Sequence, residues 1–146
     1  EAPDIAVNED VAAMYGLEDA DVRDMARPHL AEIERRRTLY LEGRPPLAAA
    51  GRTAVVVDDG IATGASVMAA LKALARRGPA RIVLAVPVAP ADTLERLRPL
   101  ADEIVCLEIP ERFYAVGAHY HSFAQVDDAE VVDLMRSLAP GKGSAG

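Results

Sequence analysis

The spacing of apolar residues along the chain changes near Gly51. Before that point, apolar residues recur at helical intervals, which predicts a helix from about residue 19 or 21 to Leu41. Pro28 falls inside this helix, so we expect a kink or a break there. Upstream, the pattern predicts the tail of a strand over residues 5–7 and a short helix from Asn8 to Gly16.

After Gly51, short apolar strands alternate with helices. The predicted strands are Thr53–Val57, Ile82–Val88 and Glu103–Ile109, and the helices between them are Ser66–Arg77 and Ala91–Leu97. Short loops joining strand to helix to strand are typical of parallel sheets with right-handed crossovers. Because these strands are apolar at nearly every position, we expect them to be buried on both faces.

The C-terminal part contains an irregular segment and one more helix. Pro110–Gln125 holds four of the six aromatic residues and lacks a regular period. The helix Asp127–Leu138 is amphipathic, and we expect Asp127 and Asp128 to cap it. Its predicted inward residues are Val131, Leu134, Met135 and Leu138.

Length and composition limit the possible classes of protein. The 146 residues suit one α/β domain over residues 1–139, with a helical part (1–50) as a lid or hood, an α/β core (51–139) and a flexible tail (140–146). The net charge of −7 disfavours binding to nucleic acid, and no apolar run is long enough to cross a membrane. A single cysteine, Cys106, excludes an internal disulfide and favours a reducing, cytoplasmic location.

The segment from Val55 to Ser66 carries the most specific chemistry. A buried strand ends at two adjacent carboxylates, Asp58 and Asp59, and the chain then turns through glycines into a helix. The carboxyl ends of parallel strands form a ligand crevice, and a helix N-terminus with free loop amides binds anions such as phosphate. Thr63 and Ser66 add hydroxyl donors.

The two carboxylates point to a second part of the ligand. Adjacent residues at a strand end face opposite sides, and carboxylates repel a phosphate, so sugar hydroxyls or hydrated Mg²⁺ are their natural partners. A phosphate, a polyol and a metal together indicate a ribose 5-phosphate with a metal-bound leaving group. The alternative interpretation is an ordinary strand–loop–helix whose aspartates cap the helix. Response regulators and Mg²⁺ phosphatases also pair acids, but they need a later strand ending in Asp, where this chain has Pro87 and Ala89.

These residues resemble the signature of the type I phosphoribosyltransferases. The match runs through Val55 to Val57, Asp58, Asp59, Thr63, Gly64 and Ser66. The resemblance implies a Rossmann-like parallel sheet with flanking helices, and it implies catalytic roles and Mg²⁺ binding, through water or ribose, for Asp58 and Asp59. It assigns phosphate binding to Gly60, Ile61, Ala62, Thr63, Gly64, Ala65 and Ser66.

A second stretch resembles the base pocket of the purine enzymes in this family. It covers residues 104–113 and implies base-binding roles for Ile104, Val105, Phe113 and Tyr114, with Tyr120 and Phe123 also available for stacking. The run from residue 51 to 138 is similar to a little-described bacterial branch of the family.

Three positions depart from the 6-oxopurine enzymes. Ala62 stands where they carry an Asp general base, Val88 and Ala89 where they carry a Lys, and Ile104 where they carry a stacking aromatic. The acceptor base and the general base therefore stay open.

The resemblance implies an enzyme that transfers a phosphoribosyl group from phosphoribosyl pyrophosphate to a nitrogenous base, with Mg²⁺. The alternative is a regulator, or a partial module, that binds the sugar phosphate without turnover, and Ala62 favours this alternative.

The family carries at least one further βαβ unit, about 30 residues or more, before its phosphate loop. We expect the strand beside Thr53–Val57 to come from sequence before Glu1. The chain would then be part of a longer protein, or it would form a homo-oligomer through that edge.

Weaker signals remain. Glu32 and Arg36 have the spacing of a helix ion pair on a solvated face, although Arg35, Arg36 or Arg44 could instead reach a pyrophosphate. His119 and His121 suit a role near the base better than a metal site, and Cys106 suits an inert core position.

Overall fold

The structure, a computed structural model, describes residue 16 and residues 18–138, without the side chains of Asp19 and Leu138. The elements are α1 (Asp19–Leu41), β1 (Thr53–Val57), α2 (Ala65–Ala75), β2 (Arg81–Val88), α3 (Ala91–Leu97), β3 (Glu103–Glu108) and α4 (Asp128–Leu138), with short 3₁₀ helices at Arg98–Leu100 and Val116–His119. These bounds agree with the predicted ones to within about two residues. The predicted strand over 5–7, most of the helix that ends at Gly16, and the tail 140–146 lie outside the described residues.

The three strands form one parallel sheet in the order β1–β2–β3. Val55 pairs with Val83, and Ala85 pairs with Val105, so β2 is the central strand. The predicted α/β class with a Rossmann-like parallel sheet and flanking helices is confirmed. No helix within residues 18–138 combines the length and the apolar character needed to cross a membrane.

One face of the sheet carries the hydrophobic core. Alternate residues of β2 point towards α2 and α3 and are buried with residues of those helices: Val67, Leu71, Ile82, Leu84, Val86, Leu94 and Leu97. Burial of these side chains is the main source of stability for the part of the chain described.

The other face of the sheet is open, so the expectation of strands buried on both faces is wrong for the described residues. Val57 is 74% exposed and Leu107 is 77% exposed, and Val55 and Val105 are exposed as well. The reason is that α2 and α3 pack on the opposite face, while α1 and α4 pack mainly against each other.

Helix α1 continues through Pro28, so the predicted break does not occur. Proline has no amide hydrogen, so Pro28 leaves the Asp24 carbonyl without its helix hydrogen bond. Both residues are exposed on this helix, so water can replace the missing bond. The helix starts with a capping box, in which the backbone amide of Glu18 donates to the Asp21 carboxylate at 2.9 Å.

Asp128 links α4 to α1 and does not cap α4. Its carboxylate accepts hydrogen bonds from Arg35 and from the Tyr40 hydroxyl, each at 2.6 Å. Asp127 is the cap, because its carboxylate accepts from the Glu130 amide at 2.8 Å. Glu32 also holds Arg35, at 2.7 Å.

The inward face of α4 also differs from the predicted one. Val132 is the buried residue of this helix, Val131 is half-buried, and Leu134 and Met135 are exposed. The link through Asp128 fixes the rotation of α4 against α1, which the hydrophobic pattern alone does not specify.

The α1–α4 contact should weaken in acid. Hydrogen bonds from Arg35 lower the pKa of Asp128 and, with Arg36, lower that of Glu32 to about 2. A depressed carboxyl pKa stabilises the fold above the ordinary value, and this stabilisation is lost as pH falls through the folded-state value. The Glu32 contribution within α1 is lost between about pH 4.5 and about pH 2, and the Asp128 contribution to the α1–α4 contact is lost as the pH falls below the ordinary carboxyl range. Limited proteolysis of α1 should therefore accelerate in acid. Asp128→Asn should be cut faster at neutral pH and respond less to acid; an unchanged response in this variant would contradict the assignment.

Candidate functional site

The acidic pair lies where β1 ends and the chain bends. Asp58 is half-buried, Asp59 is exposed, and the Gly60 amide donates to the Asp58 carboxylate at 3.2 Å. The strand ends at Val57, and its alternation of exposed and half-buried residues continues through Asp58 and Asp59. The carboxyl groups of the two acids nevertheless interact with each other.

This proximity makes the pair electrostatically unfavourable when both groups are ionised. Partial desolvation raises the pKa of Asp59, and the hydrogen bond and charge of the neighbouring Asp58 carboxyl raise it further. A cation or hydrogen-bond donors at this position would relieve the repulsion. The site therefore favours a ligand that brings either of them to the acids.

The loop after the acids is tied to the central strand. The Ile61 amide donates to the Val88 carbonyl at 2.9 Å, and the Ile61 side chain is only 2% exposed within the core. The amides of Gly60 and Ile61 are therefore used inside the protein, which corrects the expectation that every amide from Gly60 onwards faces a ligand.

The second half of the loop carries unpaired backbone amides, and its residues other than Gly64 are exposed. Among the residues described by the structure, the amides of residues 62–66 have no acceptor, and the hydroxyls of Thr63 and Ser66 have no partner. Gly64 is the N-cap of α2, with φ of +78°, and the first turn of α2 has no acidic residue. Unpaired amides at the positive end of a helix form a cradle for an anion.

Two glycines let neighbouring residues approach this loop closely. A Cβ at Gly60 would lie 2.6 Å from Val116 Cγ1, and a Cβ at Gly64 would lie 2.8 Å from Thr93 Cγ2. These distances are shorter than any normal contact, so the loop keeps its shape only with glycine at both positions.

Helix α3 supplies two contacts that were not predicted from the sequence. The Thr93 hydroxyl donates to the Ala62 carbonyl at 2.9 Å, and the Arg96 guanidinium donates to the Thr63 carbonyl at 3.3 Å. The sequence did contain a signal for the first contact, because Thr93 lies on the apolar face of α3 beside Leu94 and Leu97. A hydroxyl buried on such a face requires a hydrogen-bond partner.

Residues 110–125, which we call the aromatic segment, reach the acids through Tyr120. The Tyr120 hydroxyl donates to the Asp59 carbonyl, and its ring contacts Phe123, with the centroids 5.1 Å apart. The ring of His119 stacks on Phe113 at 5.4 Å. The described part of the chain has no group of three or more His, Cys, Asp or Glu side chains placed to hold a metal.

The predicted base-binding residues do not all come together. Ile104 pairs with Leu84 and packs on the core, and Val105 lies on the open face of the sheet. The loop meets β2 at Val88, so Ile104 and Val105 lie about four and three residues earlier along the strands, roughly 10–13 Å away. Phe113 and Tyr114 lie in the aromatic segment, where Tyr114 is 82% exposed.

The remaining candidates have structural contacts. Arg35 and Arg36 bind Glu32, and Arg44 donates to the Leu41 carbonyl at the end of α1. The Cys106 thiol is half-buried against the core and donates to the Glu108 carbonyl at 3.2 Å.

Comparison with known proteins places this site within a family. The phosphoribosyl transferase domain family matches the chain over residues 18–122, which includes the acids, the loop and most of the aromatic segment. This chain belongs to that family. As a phosphoribosyl transferase domain, it is 43% identical over 129 residues to two Mycobacterium tuberculosis proteins, "Putative phosphoribosyl transferase MT0597" and "Putative phosphoribosyl transferase Rv0571c".

A solved structure shows the same fold. TT1426 from Thermus thermophilus is 39% identical in sequence to the phosphoribosyl transferase domain described here, and the two superpose with a TM-score of 0.75. The match covers 88% of this chain but 62% of TT1426, and 29% of each mycobacterial protein. The chain thus spans less than two thirds of the length of these relatives.

Comparing Gly64→Ala with Gly78→Ala should separate the cost of a steric clash from the cost of a left-handed backbone conformation, which both positions share. Gly64→Ala forces a side chain into a left-handed conformation and into the Thr93 methyl group, whereas Gly78→Ala, at φ of +65°, meets nothing within 4 Å. We expect Gly64→Ala to lower the free energy of unfolding by about 1–3 kcal/mol more than Gly78→Ala, the usual cost of overpacking. Urea unfolding measures both, and equal losses would show that the loop is not closely packed on α3.

Proposed function

We propose that this domain transfers a phosphoribosyl group from phosphoribosyl pyrophosphate to a nitrogenous base and releases pyrophosphate. The observation that carries the proposal is the juxtaposition of an anion cradle, the unpaired amides of residues 62–66, with the acids Asp58 and Asp59 on the same loop. An extended ligand with a phosphate at one end and hydroxyl groups beside it complements both parts. Membership of the family supports the assignment.

Each part of the loop has a separate role in binding. The 5-phosphate accepts from the amides of residues 62–66 and from the hydroxyls of Thr63 and Ser66. The ribose hydroxyls donate to the carboxylates of Asp58 and Asp59. Such hydrogen bonds relieve the repulsion that raises the pKa of Asp59.

The acids also suit Mg²⁺. They offer hard oxygen ligands, and Mg²⁺ characteristically takes one or two carboxylates from the protein and completes its shell with waters and substrate phosphates. The absence of a third acidic or histidine ligand among the described residues is compatible with that arrangement. When bound, the ion would neutralise charge on the pyrophosphate leaving group.

The reaction needs positioning more than covalent catalysis. The bond from ribose C1 to the pyrophosphate oxygen breaks, and its electron pair leaves with pyrophosphate. A nitrogen of the base donates its lone pair to C1, and the proton lost from that nitrogen passes to solvent. The loop and acids hold the ribose while positive charge develops on its ring, and the aromatic residues Phe113 and Tyr114 offer a stacking surface for the base.

A regulator that binds the sugar phosphate without turnover is the second candidate. The observation that favours it is the composition of the loop, because residues 60–66 contain no ionisable side chain and Ala62 supplies no general base. Binding of phosphoribosyl pyrophosphate with no product from any base would support this candidate. A cytoplasmic location is part of either proposal.

The acidic pair should be required for Mg²⁺-dependent binding. With Asp58→Asn and Asp59→Asn combined, calorimetry should detect no Mg²⁺-dependent binding of phosphoribosyl pyrophosphate. The thermal midpoint without ligand should stay equal or rise, because the repulsion between the two carboxylates is gone. Asp24→Asn, an exposed acid on α1, is the control and should bind normally. Normal binding by the double variant would show that the acids have only a structural role.

A further inference from the structure

We propose that Thr93 is a positioning residue that sets the orientation of the phosphate-binding amides, an inference that rests on the proposed function. Thr93 is 2% exposed and is the one buried polar side chain in the described part of the chain. It lies on α3, outside the loop and outside every motif seen in the sequence. Its hydroxyl bonds the loop carbonyl of Ala62 and the Arg96 side chain, and its methyl group lies beside Gly64.

Thr93 and Arg96 fix two successive peptide units. The Thr93 hydroxyl donates to the Ala62 carbonyl at 2.9 Å and accepts from Arg96 at 2.9 Å, and Arg96 also donates to the Thr63 carbonyl. In a planar trans peptide, the carbonyl of one residue and the amide of the next point in opposite directions. When the carbonyls of Ala62 and Thr63 point to α3, the amides of Thr63 and Gly64 must point away from α3.

The orientation matters because those amides belong to the anion cradle. The Thr63 and Gly64 amides have no acceptor among the described residues, and both belong to the residues proposed to bind the 5-phosphate. A peptide flip at either unit would turn a carbonyl oxygen towards the anion, and the resulting repulsion would oppose binding. Thr93 thus acts on the ligand through the backbone.

The methyl group of Thr93 has a separate role. It packs where a Cβ of residue 64 would lie, at 2.8 Å, so it fills the space beside Gly64. Threonine therefore supplies both the hydroxyl that holds the Ala62 carbonyl and the methyl that supports the turn at Gly64. Serine retains only the hydroxyl, and valine retains only the shape.

This difference between serine and valine gives the test. We would titrate the full chain and its variants with ribose 5-phosphate by calorimetry, and measure the ¹⁵N order parameters of the Thr63 and Gly64 amides without ligand. Thr93→Val should weaken binding by about tenfold or more and lower the order parameters of both amides, because the Ala62 carbonyl loses its donor. Thr93→Ser should bind within about threefold of the wild type.

Arg96→Gln and its control Arg98→Gln remove the same charge from one stretch of chain. Arg98 binds Glu95 and contacts no loop carbonyl, whereas Arg96 holds Thr63. We expect weaker ribose 5-phosphate binding and a lower order parameter of the Gly64 amide only in Arg96→Gln, so a loss of general positive charge is distinguished from a loss of loop anchoring.

The outcomes separate this inference from the proposed function. Wild-type affinity in Thr93→Val, or unchanged order parameters at Thr63 and Gly64, would overturn the positioning role and leave the proposed function intact. Absence of ribose 5-phosphate binding by the wild type would overturn the phosphate site itself, while the order parameters would still decide whether Thr93 orients the loop. If Thr93→Val fails to fold, Thr93→Ser and Arg96→Gln supply the same comparison, and normal binding and order parameters in Arg96→Gln would count against the proposal.

Discussion

The hydrogen bond from the Ile61 amide to the Val88 carbonyl joins the loop after β1 to the end of the central strand. With the Ile61 side chain buried in the core, this bond fixes where the loop begins, and the contacts from Thr93 and Arg96 fix how it continues. A loop held at three successive residues cannot close over its own amides. The rigid α/β core and the α3 contacts therefore keep the amides of residues 62–66 available, at the N-terminus of α2.

The same loop carries an electrostatic cost that suggests function. Desolvation and the neighbouring Asp58 carboxyl raise the pKa of Asp59, although Asp58 also accepts a hydrogen bond from the Gly60 amide. Functional sites often retain such unfavourable groups because a ligand compensates for them. In a domain with a net charge of −7, an anionic ligand is repelled at long range, so the local amides must supply most of its binding energy.

The local features of this site follow from the sequence, and the features that depend on distant contacts do not. The apolar run 53–57, the acids and the glycine turn predicted the strand, the loop and the helix because each depends on neighbouring residues. Thr93 meets Ala62 across 31 positions, and no local pattern encodes that contact. Ile104 was assigned to the base by resemblance, but strand register places it beside Leu84. The open face of the sheet was missed because apolar strands predict a cover without showing which element provides it.

Titration of ¹⁵N-labelled protein with ribose 5-phosphate tests for the anion site at the start of α2, because the spectrum reports on each loop amide separately. We expect the largest changes in chemical shift at Thr63, Gly64, Ala65 and Ser66, with smaller changes at Gly60 and Ile61, whose amides are bound inside the protein. Changes spread over the sheet or the α1–α4 contact, with none at residues 62–66, would contradict an anion site at the start of α2.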